Sequence, residues 1–147
     1  MNSTFDPLLN LNETQTYWHK INENDQDFAS WEKLVSIAET ANGGLTLHSS
    51  LQDLEQLAKV YDQFLSKFPY CYGYWKKYAD WMLALYTADK AQDVYERAVL
   101  AIPNSVDIWT HFCSFKMEHY KDVHVVRGLF ERGASAVGLD FLSHPFW

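Results

Sequence analysis

The chain has 147 residues, with 12 Lys and Arg against 19 Asp and Glu, and the formal net charge of −7 excludes a basic nucleic-acid-binding arm. At 48% hydrophobic and 21% charged residues it is too apolar to be wholly disordered. Its length predicts one domain that buries roughly 70% of the surface its unfolded chain exposes.

Residues 1–26, rich in Asn, Thr, Gln and Asp, predict a mobile lead-in. It contains an apolar run (Leu8, Leu9, Leu11), an aromatic pair (Tyr17, Trp18) and one short helix expected over Thr14 to Asn22. The acidity lies early: residues 1–50 hold only Lys20 and Lys33 against seven carboxylates, and the remainder is nearly neutral. No run of Lys or Arg is long enough to follow a phosphate backbone. From Asp27 onward, Pro occurs only at 69, 103 and 145 and the β-branched residues do not alternate, which predicts an all-α fold.

The first helix pair is expected over 27–69. Asp27 caps a helix with Trp31, Leu34 and Ile37 at three-residue steps, the loop Asn42 to His48 carries a Gly pair, and a second helix containing Val60-Tyr61-Asp62 ends near Pro69. The second pair spans 70–103, with Trp75, Tyr78 and Trp81, then Thr87 as a cap, then Val94, Tyr95, Ala98, Ala101 and Ile102, ending at Pro103. Cys71 stands where a capping side chain is expected, and Asp93 four residues before Arg97 predicts a surface ion pair. The third pair covers 104–138, with Ser105 and Asp122 as caps, Trp109, Phe112 and Phe115 on its first helix, and Val126, Leu129, Phe130, Gly133, Ala136 and Val137 on its second, ending at Gly138. Residues 139–147, with Ser143 as a cap before Trp147, predict the start of a further pair.

These pairs are copies of one unit. Trp75 and Trp109 lie 34 apart, Pro69 and Pro103 also 34, and Val60-Tyr61-Asp62 returns 34 later as Val94-Tyr95-Glu96. Leu129-Phe130-Glu131-Arg132 follows Val94-Tyr95-Glu96-Arg97 by 35, and the extra ten residues between Trp31 and Trp75 are those of the Gly-containing loop. A single pair cannot bury its aromatic face, so stacking of neighbours into a TPR-like α-α superhelical solenoid is expected.

The period matches the tetratricopeptide repeat, but Ala79 and Cys113 occupy the place of its glycine. The pattern of Trp, aromatic, aromatic followed by aromatic-Glu-Arg, as in Tyr95-Glu96-Arg97 and Phe130-Glu131-Arg132, resembles the HAT (half-a-TPR) repeat; Tyr61-Asp62-Gln63 departs from it. The segments Phe68 to Asp80, Asp27 to Trp31, Ala101 to Trp109 and Phe141 to Trp147 resemble the N-terminal part of the pre-mRNA-processing factor 39 family. The resemblance implies a nuclear, non-catalytic scaffold of, or associated with, the U1 small nuclear ribonucleoprotein (U1 snRNP). Such a scaffold supports splicing at the 5′ splice site through other U1 proteins, with RNA contacted mostly indirectly. It also implies a homo- or heterodimer partner held by repeats further along longer family members, and no cofactor, membrane or small-molecule substrate. The residues it singles out are repeat positions: Trp31, Leu34, Trp75, Tyr78, Trp81, Tyr95, Glu96, Arg97, Pro103, Trp109, Phe112, Phe115, Phe130, Glu131 and Arg132.

Other chemistry is weakly signalled. The aromatic stripe has the spacing of a buried helix face rather than a base-stacking platform, and Lys76 and Lys77 read as solvated charge. His111, Cys113, His119 and His124 lack the i, i+4 spacing that sets two metal ligands on one helix face. There is no Gly-rich phosphate loop or nucleophile elbow. Cys71 and Cys113 read as packed thiols of a reducing compartment, and the chain, which has no membrane-length apolar run or basic-then-apolar leader, reads as intracellular. Two alternatives stay open: a HAT scaffold of mRNA 3′-end cleavage or pre-ribosomal RNA processing, and direct RNA binding.

Overall fold

The computed structural model describes the backbone of residues 7–138 and the side chains of residues 12–138. The side chains of Leu8, Leu9 and Leu11, the Ser143 cap and the further pair expected over 139–147 therefore lie outside what is described. Every regular element among the described residues is a helix, and the chain divides into two compact units, Met1–Phe68 and Pro69–Trp147.

The first unit contains α1 (Pro7–Glu23), α2 (Phe28–Glu39), a single 3₁₀ turn (Ala41–Gly43) and α3 (Leu51–Lys67). The helix expected in residues 1–26 differs in extent. Instead of a short helix over Thr14 to Asn22, α1 runs for 17 residues and packs on α2, with Ile21 buried and Trp18 meeting Trp31 edge-on at 5.8 Å between ring centroids. Thr14, Trp18 and Ile21 recur at helical spacing, so a polar sequence still presents one face that α2 can cover.

Asp27 opens α2, its carboxylate accepting from the Ser30 amide at 3.3 Å and from the Ser30 hydroxyl at 2.6 Å. The helix buries Trp31, Leu34, Val35 and Ala38, while Ile37 is only half-buried. Three-residue steps lag a 3.6-residue turn by about 60° each, so the third member of the stripe drifts off the core face and the residue one full turn on replaces it. The loop then reverses through Asn42, Gly43 and Gly44 at φ 53°, 82° and 122°, values a Cβ resists, which explains the Gly pair. Ser50 caps α3 through the Asp53 amide, and α3 buries Leu54, Leu57, Val60, Tyr61, Phe64 and Leu65 along one face. Phe28, Phe64 and Phe68 form a ring cluster with centroids 5.3 to 5.6 Å apart.

The second unit contains α4 (Tyr72–Leu85), α5 (Ala88–Ala101), α6 (Val106–His119) and α7 (Val123–Val137). Only Tyr86 and Thr87 separate α4 from α5, a link so short that the two must run antiparallel. Thr87 caps α5 through the Lys90 amide, Ser105 caps α6 through the Ile108 amide, and Asp122 caps α7 through the His124 and Val125 amides. Cys71 begins α4 with no side-chain cap bond. Helix α5 packs on α6, where the Tyr95 ring lies nearly parallel to Phe112 at 5.2 Å and tilted against Phe115 at 5.1 Å. Trp81 is half-buried like Ile37, whereas Phe115, also third in its stripe, is buried beneath Tyr95.

Candidate interaction surface

The repeat residues do two jobs. The first is a clamp made by each leading tryptophan. Trp31 Nε1 donates to the Asp25 carbonyl at 2.9 Å, Trp75 Nε1 to that of Pro69 at 2.9 Å, and Trp109 Nε1 to that of Pro103 at 2.8 Å. The offset is six residues in all three. A buried indole needs an acceptor for its N–H, and each finds it in the turn just before its own helix.

The second is a stack involving the aromatic-Glu-Arg run. The Arg132 guanidinium lies 5.5 Å from the Trp109 ring centre and grips Glu96 with two parallel bonds, of 2.8 and 2.9 Å, joining α7 to α5. Arg97 takes the corresponding place over Trp75 and Tyr78, at 5.7 and 5.9 Å. Spacing along α5 suggested Asp93 as the partner of Arg97; the guanidinium also reaches across to α4, where cation–π contact and stacking of its planar group hold it to the two rings.

The structure thus brings together Trp75 with Tyr78 and Arg97, and Tyr95 with Phe112 and Phe115. It also gathers Glu96, Trp109 and Arg132, with Pro103 held to Trp109. Trp31 and Leu34 sit in the core of the first unit, Phe130 is buried on α7, and Glu131 is exposed. Lys76 pairs with Asp80 at 2.8 Å and Lys77 lies over Tyr74, so both are held by their own helix.

A polar clasp between α5 and α6 was not readable from the sequence. Lys116, buried though charged, donates from Nζ to Gln92 Oε1 and lies 4.1 Å from the Tyr120 ring centre, while the Tyr120 hydroxyl donates to Asp89 at 2.6 Å. Burial lowers the Lys116 pKa against the pull of Glu96 and Asp89. Burial, helped by the bond to Asp89, pushes Tyr120 up to about 12. The signal lay in positions 24 and 31 residues apart in sequence, which only a placed repeat brings together.

For chemistry the surface offers little. Burial pushes the Cys113 thiol up to about 12, which leaves it protonated and a poor nucleophile. Among the described residues no three His, Cys, Asp or Glu side chains gather closely enough to hold a metal ion, and no helix is long and apolar enough to cross a membrane. What remains are open grooves. One in the first unit, of about 490 Å³, is lined by Trp18, Trp31, Glu23, Asp25 and Lys67, with the Asp25–Lys67 pair closed at 2.8 Å. One in the second unit, of about 340 Å³, is flanked by Tyr70, Tyr72 and Pro103, and another, of about 570 Å³, runs between α5 and α7.

Comparison with known proteins places these features in a wider set. A family model described as the PRP39 N-terminal HAT repeat matches residues 15–147. Pre-mRNA-processing factor 39 of Schizosaccharomyces pombe is 50% identical over 137 residues, covering 90% of this chain and 22% of that protein. Pre-mRNA-processing factor 39-2 of Arabidopsis thaliana is 43% identical over 121 residues, covering 82% of this chain and 11% of that protein. The human factor of the same name is 35% identical over 140 residues, covering 92% of this chain and 19% of that protein. The chain therefore spans between 11% and 22% of the length of these three relatives.

Proposed function

Since the chain belongs to the PRP39 N-terminal HAT-repeat family, we propose that it is the N-terminal repeat part of a non-catalytic splicing scaffold associated with the U1 snRNP. It supports pre-mRNA splicing at the 5′ splice site by protein contacts in the nucleus. The observation that carries this reading is the similarity to pre-mRNA-processing factor 39 proteins over some nine-tenths of the chain, at identities of 35% and 50% in two of them.

The geometry supports a scaffold in a specific way. The aromatic residues of its repeat motif and both motif arginines are engaged in holding helices together, so the part open to partners is the groove and rim surface, where Tyr70 and Tyr72 are exposed. The first half of the chain is acidic, and its relation to RNA is indirect, through basic segments of neighbouring proteins. Dimerisation, as homodimer or with a related subunit, is assigned to repeats outside this chain.

The test is to tag the full-length protein at native abundance, purify it from nuclear extract at moderate salt, and sequence the accompanying RNA. Enrichment of U1 small nuclear RNA is expected. Ribosomal precursors, 3′-end cleavage components or no splicing component at all in its place would overturn the assignment to splicing.

A further inference from the structure

The groove between α5 and α7 has an ordered wall. Gly128, Glu131, Arg132, Ser135 and Ala136 recur at i, i+3, i+4, i+7 and i+8 and so share one face of α7. Eight residues of helical rise make that wall roughly 12 Å long, about two turns. Opposite stand Val99, Leu100 and Pro103, with Leu100 79% exposed although it is aliphatic. Of the two charges on the α7 wall, Arg132 is neutralised by Glu96, whereas Glu131 makes no ion pair among the described residues. The result is an apolar trough beside one uncompensated carboxylate. Neither wall is a sheet edge: α7 bonds its own backbone, and Val99, Leu100 and Pro103 form the last turn of α5 and the bend after it, so an added strand would find no extended row of amides and carbonyls to join.

We propose that this groove docks the apolar face of a short amphipathic helix from another protein, with a Lys or Arg placed beside its aliphatic residues to meet Glu131. The inference rests on the scaffold reading and names the chemistry of one partner segment. Two turns of helix fall well below the roughly 1,200 Å² of a stable complex, so the contact is weak and serves as one of several.

The probe is a labelled helical peptide of about 16 residues, long enough to hold its fold. It is built on Ala and Gln, with leucines at i, i+3, i+4 and i+7 flanked by arginine, and is compared with the same peptide carrying glutamate for arginine. Fluorescence anisotropy against the full-length protein should show the arginine peptide binding about tenfold more tightly, an energy difference of about 1.4 kcal/mol, and Glu131→Lys should reverse that order. Gly128→Leu should abolish binding by filling the trough. A Cβ there meets nothing within 4 Å, and leucine favours helix over glycine, so helix content and unfolding midpoint should hold or rise. Equal binding of both peptides, undiminished binding by Gly128→Leu, or no binding by either peptide overturns the proposal. If U1 RNA still co-purifies in that case, only the groove assignment fails; loss of U1 RNA from the unaltered protein overturns the scaffold reading whatever the peptides do.

Discussion

At the level of single residues, the leading tryptophans and the buried thiol make separable contributions. Trp109→Phe keeps a ring in the core but strands the Pro103 carbonyl, and should cost at least about 1 kcal/mol in urea unfolding, with Trp75→Phe similar at Pro69. Cys113 is fully buried and its pKa is raised from the ordinary 9.0 to about 12, whereas Cys71 is only half-buried. Iodoacetamide on the native protein should therefore label Cys71 and spare Cys113, as read by peptide mass. The same shift fixes an alkaline dependence. A group whose pKa is higher folded than unfolded contributes stability that is complete below its unfolded value and is lost as pH rises toward the folded one. For Cys113 that loss runs from about pH 9 to 12, and Tyr120, raised from 10.0 to about 12, adds to it from about pH 10. The urea midpoint should decline above pH 9; a flat profile to pH 11 would contradict the burial of both groups. The roles of the tryptophans as core were legible because indole rings at a fixed period have few other uses. The bond of Arg132 to Glu96 was not, since pairing 36 residues apart depends on how the repeats dock, and local spacing suggested Asp93 as a partner for Arg97 instead.

At the level of helices, the caps differ in one informative place. Ser105 and Cys71 hold equivalent positions, four residues before a tryptophan, and of the two side chains only that of the serine caps the amides of the helix it starts. Ser105→Ala should destabilise the protein by about 1 kcal/mol, and Cys71→Ser should stabilise it by about 0.5 to 1 kcal/mol; paired thermal melts check both signs. Helix positions from Asp27 onward could be read because caps, Pro and Gly punctuate them. Helix α1 was readable only in part, as Thr14 to Asn22, since Trp18 and Ile21 among polar neighbours are too few to announce a longer helix with a buried face until α2 supplies one. The half-buried Ile37 and Trp81 show where a three-residue pattern overstates the core: in those two helices it keeps to the face for one step and leaves it at the second.

At the scale of the molecule, the helices within each unit pack chiefly on their chain neighbours, and among the described residues α4 against α6 is the one extensive contact that skips an element. So local a contact pattern predicts that the main refolding phase is over within milliseconds or less, as read by stopped-flow fluorescence; a main phase of seconds would contradict it. Helix α1 stands before Trp31 as the end of one pair stands before the next tryptophan: the turn that follows it supplies, at Asp25, the carbonyl that Pro69 and Pro103 supply elsewhere. That shared six-residue reach limits where the gene can change length. One codon added between Pro103 and Trp109 would swing the indole by about 100° from its acceptor, whereas the hairpin tip around Gly43 and Gly44 already absorbs ten extra residues in the first pair without touching any clamp. Insertions and deletions among descendants of this sequence should therefore gather at the tips within pairs, leaving the turns between them invariant in length.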